Sequence, residues 1–235
     1  MSKGIIIVTG ATRGIGAAIA AELDALGFRV AGLSRSGETV AGEGFVCDVS
    51  DEESIANAVA EVASRGRIVG LVNNAGLYRE HKSANLSGAE FEHLMRTNAT
   101  SVVVASREAY SHLRNGGGGL IVNIGSFFDK LGVGRSVAYC ASKAAIGAIT
   151  RCLAVEWAKD NIRVLDVAPG YIATNLNADF LSKEAGMRWI EERIPVKRPG
   201  QPSEVAKLVG TLFTSDIGFL TGETIYMDGG QGMHL

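Results

Sequence analysis

Residues 3–28, KGIIIVTGATRGIGAAIAAELDALGF, decide the fold. The opening run is β-branched and wholly apolar, with no polar alternation, which is how a strand covered on both faces reads. The closing half repeats apolar residues at helical spacing and stops at Gly27. Between them lies TGATRGIG, with Gly10, Gly14 and Gly16 at the joint. A strand that passes into a helix through glycines is the first unit of a parallel sheet, and it leaves the helix's unpaired amides at the strand's carboxyl end. Glycine lets the backbone approach an anion there, and the positive end of the helix dipole suits a pyrophosphate. The spacing is G-x-x-x-G-x-G rather than G-x-G-x-x-G, so the physics carries this reading without a literal motif match.

Working outward, the same alternation repeats. RVAGLSR (29–35), GFVCDVS (44–50), RIVGLVNNAG (67–76), LIVNIGS (120–126), IRVLDVAPG (162–170) and ETIYMDGG (223–230) read as strands. Helices are predicted at 51–66, with Ser50 or Asp51 as cap, at 98–114, from about 137 to Lys159, and at 202–215. Strand and helix taking turns predicts an α/β fold: a doubly wound parallel sheet of about seven strands, with helices on both faces and right-handed crossovers. No linker divides residues 1–235, so one domain is expected. The exception to the rhythm is 34–48, too short and glycine-rich for a crossover helix, where a loop is expected.

Composition bounds the partners. Of 235 residues, 46% are apolar and 20% charged, enough for a large core, and the net charge of −2 with scattered basic residues argues against a nucleic-acid surface. No apolar run approaches the roughly 20 residues that span a bilayer. Cys47, Cys140 and Cys152 form no C-x-x-C pair and no charged leader is visible, so a reduced, cytoplasmic protein is expected. His81, His93, His112 and His234 lack metal-ligand spacing, so no metal is expected, and the glycine loop lacks the G-K-[ST] of a P-loop. A small-molecule partner fits best.

Two further features carry chemistry. In SVAYCASKAA (136–145), Tyr139 and Lys143 stand four apart on one helical stripe. Either both are solvated, or the lysine is there to change the acidity of the tyrosine. At the end of the second strand, Ser34 occupies the place where an acidic residue would hold ribose hydroxyls, and Arg35 follows it, with Arg13 in the glycine loop. Guanidinium groups beside a small hydroxyl suit a 2′-phosphate, which favours NADP(H) and leaves NAD(H) as the alternative, unless Arg35 is only a solvated charge. Asp48 is placed to accept from an adenine amino group, or to cap the next helix.

The ordered set resembles the short-chain dehydrogenase/reductase family, in its compact single-domain Rossmann-type branch, over essentially the whole chain. The motifs are TGATRGIG, CDV at Asp48, NNAG at 73–76, Asn98, Ser126, Tyr139 with Lys143, and PG at 169–170 with Thr174 beyond. The resemblance implies Asn98, Ser126, Tyr139 and Lys143 as catalytic residues. It implies a cofactor wall of Gly10, Thr12, Arg13, Gly14, Ile15, Gly16, Ser34, Arg35, Asp48, Val49, Asn74, Ala75, Gly76, Pro169, Gly170, Ile172 and Thr174, joined by Tyr139 and Lys143. Tyr139 would be the general acid/base, with Lys143 lowering its pKa. A phenol moved from about 10 to about 7 needs about 4 kcal/mol, which a cation near 4 Å supplies at an effective dielectric near 20. Ser126 would bond the substrate oxygen, Lys143 the nicotinamide ribose, and Asn98 a water that resupplies the proton. Asn98 is also readable as a helix N-cap.

Substrate residues are expected at Ser126, Phe127, Phe128 and Tyr139, with Asp129 and the segment near Leu77 to His81 also shaping substrate choice and a lid over 175–198; either phenylalanine could equally be core packing. PGYIATN, IPVKRPGQPSEVA and MDGGQGM resemble 3-oxoacyl-acyl-carrier-protein reductases, implying acyl carrier protein as a partner, while GSFFDKLG departs from their small residues. A ketone or cyclic-alcohol dehydrogenase is the alternative, and a nucleotide-sensing protein without turnover is the reading from another class. The resemblance implies a homotetramer or homodimer.

Overall fold

The computed structural model describes residues 3–175 and 177–233. Seven strands form one sheet: β1 Ile5–Thr9, β2 Arg29–Ser34, β3 Glu43–Val46, β4 Ile68–Asn73, β5 Gly119–Ile124, β6 Ile162–Pro169 and β7 Thr224–Met227. Their order is β3-β2-β1-β4-β5-β6-β7 and every neighbouring pair is parallel. The winding reverses at β1, so a crevice opens at the carboxyl ends of β1 and β4.

The apolar run of β1 is explained by its two neighbourhoods. Ile6 and Val8 join one core with Ile19 and Leu23 of α1 (Gly14–Ala25) and Val205 and Val209 of α8 (Pro202–Thr214). Ile5 and Ile7 join the other, with Val59 and Val62 of α2 (Glu52–Arg65), Ala105 and Ala109 of α4 (Ser101–Asn115) and Trp157 of α5 (Val137–Trp157). Alternate side chains serve opposite faces, so from Ile5 to Val8 no position is left for a polar residue. Burial of each of these isoleucines contributes roughly 1.5–3 kcal/mol.

Asp51, not Ser50, caps α2: its carboxylate accepts from the Glu53 amide at 3.3 Å. The link between β2 and β3 carries no helix. Gly42 near its end has φ +77° and lies against the Val30 backbone, so a side chain fits there neither by torsion nor by space.

The strands expected at 44–50, 67–76 and 223–230 end earlier, at Val46, Asn73 and Met227, and two helix boundaries differ from the sequence reading by more than a residue. The helix expected from Asn98 starts ten residues earlier, as α3 (Gly88–Met95), opened by a capping box between Ser87 and Glu90. It passes without a break through a π turn, Arg96–Thr100, into α4. Asn98 therefore sits inside the helical run and is not an N-cap. α5 ends at Trp157, and its last turn tightens into a 3₁₀ turn at Ala158–Asp160. Two short helices, α6 (Ala178–Leu181) and α7 (Glu184–Arg193), follow β6, and their Phe180 and Trp189 pack on Tyr171 just past the carboxyl end of that strand. Among the described residues no helix is long and apolar enough to cross a membrane.

Candidate active site

The crevice begins at the joint between β1 and α1. Thr9 Oγ1 accepts from the amides of Asn74 (2.9 Å) and Ala75 (3.0 Å), and Asn74 Nδ2 donates back to Thr9 O (2.9 Å) and Gly10 O (3.2 Å). The loop after β4 is thereby fastened to the glycine loop. Gly10 and Gly14 have φ of +69° and +58°, and Gly16 packs on Gly10 O and Asn74 Nδ2 too closely for any side chain. Arg13 precedes α1 without capping it, leaving the helix's first turn open to an anion. This is a cradle that a Cβ would fill, and it fits a dinucleotide pyrophosphate. Across the crevice Thr174 faces Gly14, where an added methyl would meet its Cγ2 at 3.5 Å.

The far end of the expected cofactor wall is partly committed to the fold. Ser34 Oγ donates to Glu38 O at 2.8 Å, so that hydroxyl already has an acceptor. Arg35 is exposed beside Asp48, whose carboxylate is held below its usual range chiefly by hydrogen bonds from the Ser50 amide (2.9 Å) and hydroxyl (2.7 Å). Asp48 thus closes the turn before α2 and leaves the capping to Asp51. Val49 packs against the core under that turn, while Thr12 and Arg13 are exposed at the loop tip.

One cavity of about 430 Å³ gathers the rest. Ile15, Asn74, Gly76, Pro169, Gly170, Ile172 and Thr174 line it together with Ser126, Phe127, Phe128, Tyr139 and Lys143. Lys143 is buried; its Nζ donates to Ile124 O at 2.8 Å and stands 5.7 Å from the centre of the Tyr139 ring. Gly76 lies against both Lys143 Nζ and Asn98 Oδ1. The buried Asn98 amide is filled by protein: Oδ1 accepts from Leu77 N (2.8 Å), and Nδ2 donates to Leu77 O (2.9 Å) and Ser142 Oγ (3.0 Å). The π turn places this side chain between the loop after β4 and α5, as such turns do at sites.

Burial dominates the electrostatics of the Tyr139 phenol and the Lys143 ammonium. Burial pushes that phenol up to about 12, opposed by a hydrogen bond with Ser126. Burial likewise pushes the Lys143 ammonium down to about 8, with Asp166 drawing it back up. A spacing of four on one helix puts the two side chains on one wall, but the lysine N–H is directed at the Ile124 carbonyl. At neutral pH this wall holds a protonated phenol beside a charged amine.

Most of the aromatic lining comes from the segments expected to choose the substrate, 77–81 and 175–198, and Tyr171 is the member that sequence reasoning missed. Tyr78 stands 5.0 Å from Tyr139, ring centre to centre, and 6.5 Å from Phe128. Tyr171 packs on Phe127 (5.6 Å) and on Phe180 (6.0 Å) and Trp189 (5.0 Å) from α6 and α7. Phe127 and Phe128 are both buried and both line the cavity, so packing and pocket are one role for them. The available signal for Tyr171 was its place directly after the PG pair; Tyr78 stands in an irregular segment and Phe180 in a four-residue helix too short for periodicity to mark a face. His81, His93 and His112 bring no metal site together among the described residues, and His234 lies outside them.

The family model described as "Enoyl-(Acyl carrier protein) reductase" matches residues 10–232. A 3-oxoacyl-[acyl-carrier-protein] reductase of Haemophilus influenzae is 36% identical, covering 98% of both chains. A tropinone reductase homolog of Arabidopsis thaliana is 37% identical over 95% of this chain and 91% of its own. A Beutenbergia cavernae structure, described as an NAD(P) dependent gluconate 5-dehydrogenase with bound NADP at low occupancy, superposes with a TM-score of 0.91 at 30% identity, covering 98% of this chain and 97% of its own.

Proposed function

We propose a defined reaction for this chain, which belongs to the short-chain dehydrogenase/reductase family and is an oxidoreductase: NADP(H)-dependent reduction of a ketone to a secondary alcohol, with 3-oxoacyl thioesters as the substrate class. The observation that carries it is the meeting of Ser126, Tyr139 and Lys143 in one cavity with the strand ends that flank the glycine cradle. The reduced dinucleotide supplies the hydride when bound. The glycine loop from Gly10 to Gly16 and the first turn of α1 hold its pyrophosphate, and Asn74, Gly76, Pro169, Gly170, Ile172 and Thr174 form the wall beside it. Arg35 and Arg13 take the 2′-phosphate, since β2 ends in Ser34 and offers that group no carboxylate. NAD(H) is the alternative cofactor.

Tyr139 gives its proton to the carbonyl oxygen while Ser126 donates a hydrogen bond to the same atom. A phenol held near 12 is kept in its acid form at neutral pH, the form that reduction consumes. Lys143 would hold the ribose hydroxyls of the bound dinucleotide and keep a positive charge in the site, and Asn98 fixes the adjoining wall through Leu77 and Ser142. Of the lid expected over 175–198, Leu176 lies outside the described residues; the segment 177–198, with Phe180 reaching the cavity, acts as a lid that excludes water. Acyl carrier protein is the partner this reading implies, and a cytoplasmic homotetramer or homodimer the assembly. Val103 of α4 and Val137 and Val155 of α5 are exposed on outer helix faces, which fits such an interface.

A second reading, a compact cyclic ketone, is favoured by the aromatic wall of Tyr78, Phe128, Tyr171 and Phe180, which suits a rigid apolar ring better than a flexible chain. Oxidation of NADPH followed by absorbance, with acetoacetyl thioesters and cyclic ketones in parallel, tests both. A kcat/KM higher for the thioesters supports the first reading, and the reverse order selects the second. NADPH binding with no turnover of any ketone means that the chain is a nucleotide sensor.

A further inference from the structure

A row of polar side chains crosses the sheet directly beneath the cavity. Asn73 of β4, Asn123 of β5, Asp166 of β6 and Thr224 of β7 are successive partners in register. Neighbours in register point to the same face, and here that face is covered by α4 and α5. Asn73 Nδ2 donates to Asn123 Oδ1 (2.9 Å) and Ser106 Oγ (3.1 Å), and Asn123 Nδ2 donates to Thr150 Oγ1 (2.9 Å). The third member of the row is an acid with no solvent exposure. Asp166 Oδ2 accepts from Thr224 Oγ1 at 3.1 Å, and Oδ1 is buried without a hydrogen-bond partner.

That carboxylate lies against Gly125, where an added methyl would stand 2.5 Å from Oδ1 and 2.8 Å from Oδ2. The Gly125 amide itself turns to Val167 O at 2.8 Å. The residue before Gly125 is Ile124, whose carbonyl anchors Lys143 Nζ. The carboxylate therefore sits one peptide below the lysine's anchor point. The charged and titratable groups around it are Lys143 and Arg151 from α5, Asp129 from the turn after β5 and Tyr226 from β7. Asp129 accepts from the Tyr226 phenol at 2.7 Å, Lys130 lies over the Tyr226 ring at 3.5 Å, and Arg151 acts on Tyr226. Lys143 is the cation that acts on Asp166. An acid buried this deeply is neutralised unless a cation supports it.

We propose that Asp166 is the buried counter-charge that holds Lys143 as a cation, a positioning residue that acts through Lys143 without touching substrate. The inference rests on the oxidoreductase reading only for the use made of that cation. Burial pushes Asp166 up to about 6, with Lys143 drawing it down. Its negative charge is lost as pH falls through 6, and the Lys143 charge is lost as pH rises through about 8, so the pair is intact between those values.

The test reads Lys143 itself in the nucleotide-free protein. Carbon-13 at the lysine ε position, followed by NMR against pH, reports its ionisation, and Lys143→Met assigns the resonance by its loss. In Asp166→Asn, which keeps an acceptor for Thr224, the midpoint falls by about one pH unit or more, the effect of removing a nearby opposite charge. The native protein carries an independent test: the same resonance shows a smaller inflection near pH 6 as Asp166 gains its proton. An unmoved Lys143 midpoint in Asp166→Asn, or a single inflection in the native protein, overturns the proposal. Neither readout needs a substrate, so their failure leaves the reductase reading standing, and the failure of that reading leaves them intact.

Discussion

Gly16→Ala tests whether the glycine loop is a nucleotide cradle. The backbone at Gly16 is not in the left-handed region, so its need for glycine is spatial. A methyl there meets Gly10 O and Asn74 Nδ2 inside hard contact. Neither neighbour can give way cheaply, because Asn74 Nδ2 is the donor that joins the loop after β4 to Thr9 O and Gly10 O. Overpacking of this kind costs about 1–3 kcal/mol, and two weakened hydrogen bonds add about 0.5–1.5 kcal/mol each. Relief comes by displacing the Gly10 segment into the space the pyrophosphate needs. A loss of about 2–4 kcal/mol in NADPH binding, thirtyfold to several hundredfold in Kd, is the expected result. Fluorescence titration with NADPH measures it, with Gly27→Ala as control. That glycine has φ +84° with nothing near it, so its alanine variant loses stability by about 1–2 kcal/mol and keeps its Kd. A Gly16→Ala protein that binds NADPH within threefold of the native value refutes the reasoning.

Arg35→Asp raises the Kd for NADPH by about ten- to a hundredfold and leaves that for NADH little changed, because it puts a carboxylate against the 2′-phosphate; equal effects on both nucleotides in parallel titrations remove the phosphate assignment. Ketone reduction falls as pH rises through about 8, where the buried Lys143 loses its proton, while Tyr139 near 12 keeps its own; a kcat/KM profile flat to pH 10 contradicts this. Asp51→Ala removes the side-chain cap of α2 at a cost of about 1 kcal/mol and lowers Tm by about 2–4 °C with turnover unchanged.

The fold was legible because its signals are local. An apolar run, three glycines and a helical period in residues 3–28 imply the first βα unit, and the repetition of that rhythm implies a parallel sheet. The start of α3 was legible in principle, since Ser87 and Glu90 form the S-x-x-E box, but the expected break at Asn98 hid it. A π turn carries no sequence mark of that kind. The identity of the site residues came from ordered motifs, whereas their electrostatics did not. Whether Lys143 points at the Tyr139 oxygen or at the Ile124 carbonyl depends on where β5 ends relative to α5, which spacing along one helix cannot reveal. Asp166 was equally hidden: in IRVLDVAPG it is one polar residue in a strand, and only the register with Asn123 and Thr224 puts it under the site.

The central claim is that the Tyr139 phenol delivers the proton to the carbonyl oxygen, and single-turnover reduction of a ketone by the NADPH-loaded Tyr139→Phe protein tests it most directly. The account predicts a native NADPH Kd with a rate lower by roughly a hundred- to ten-thousandfold, the worth of a positioned general acid. A rate within threefold of the native enzyme at the same Kd contradicts it.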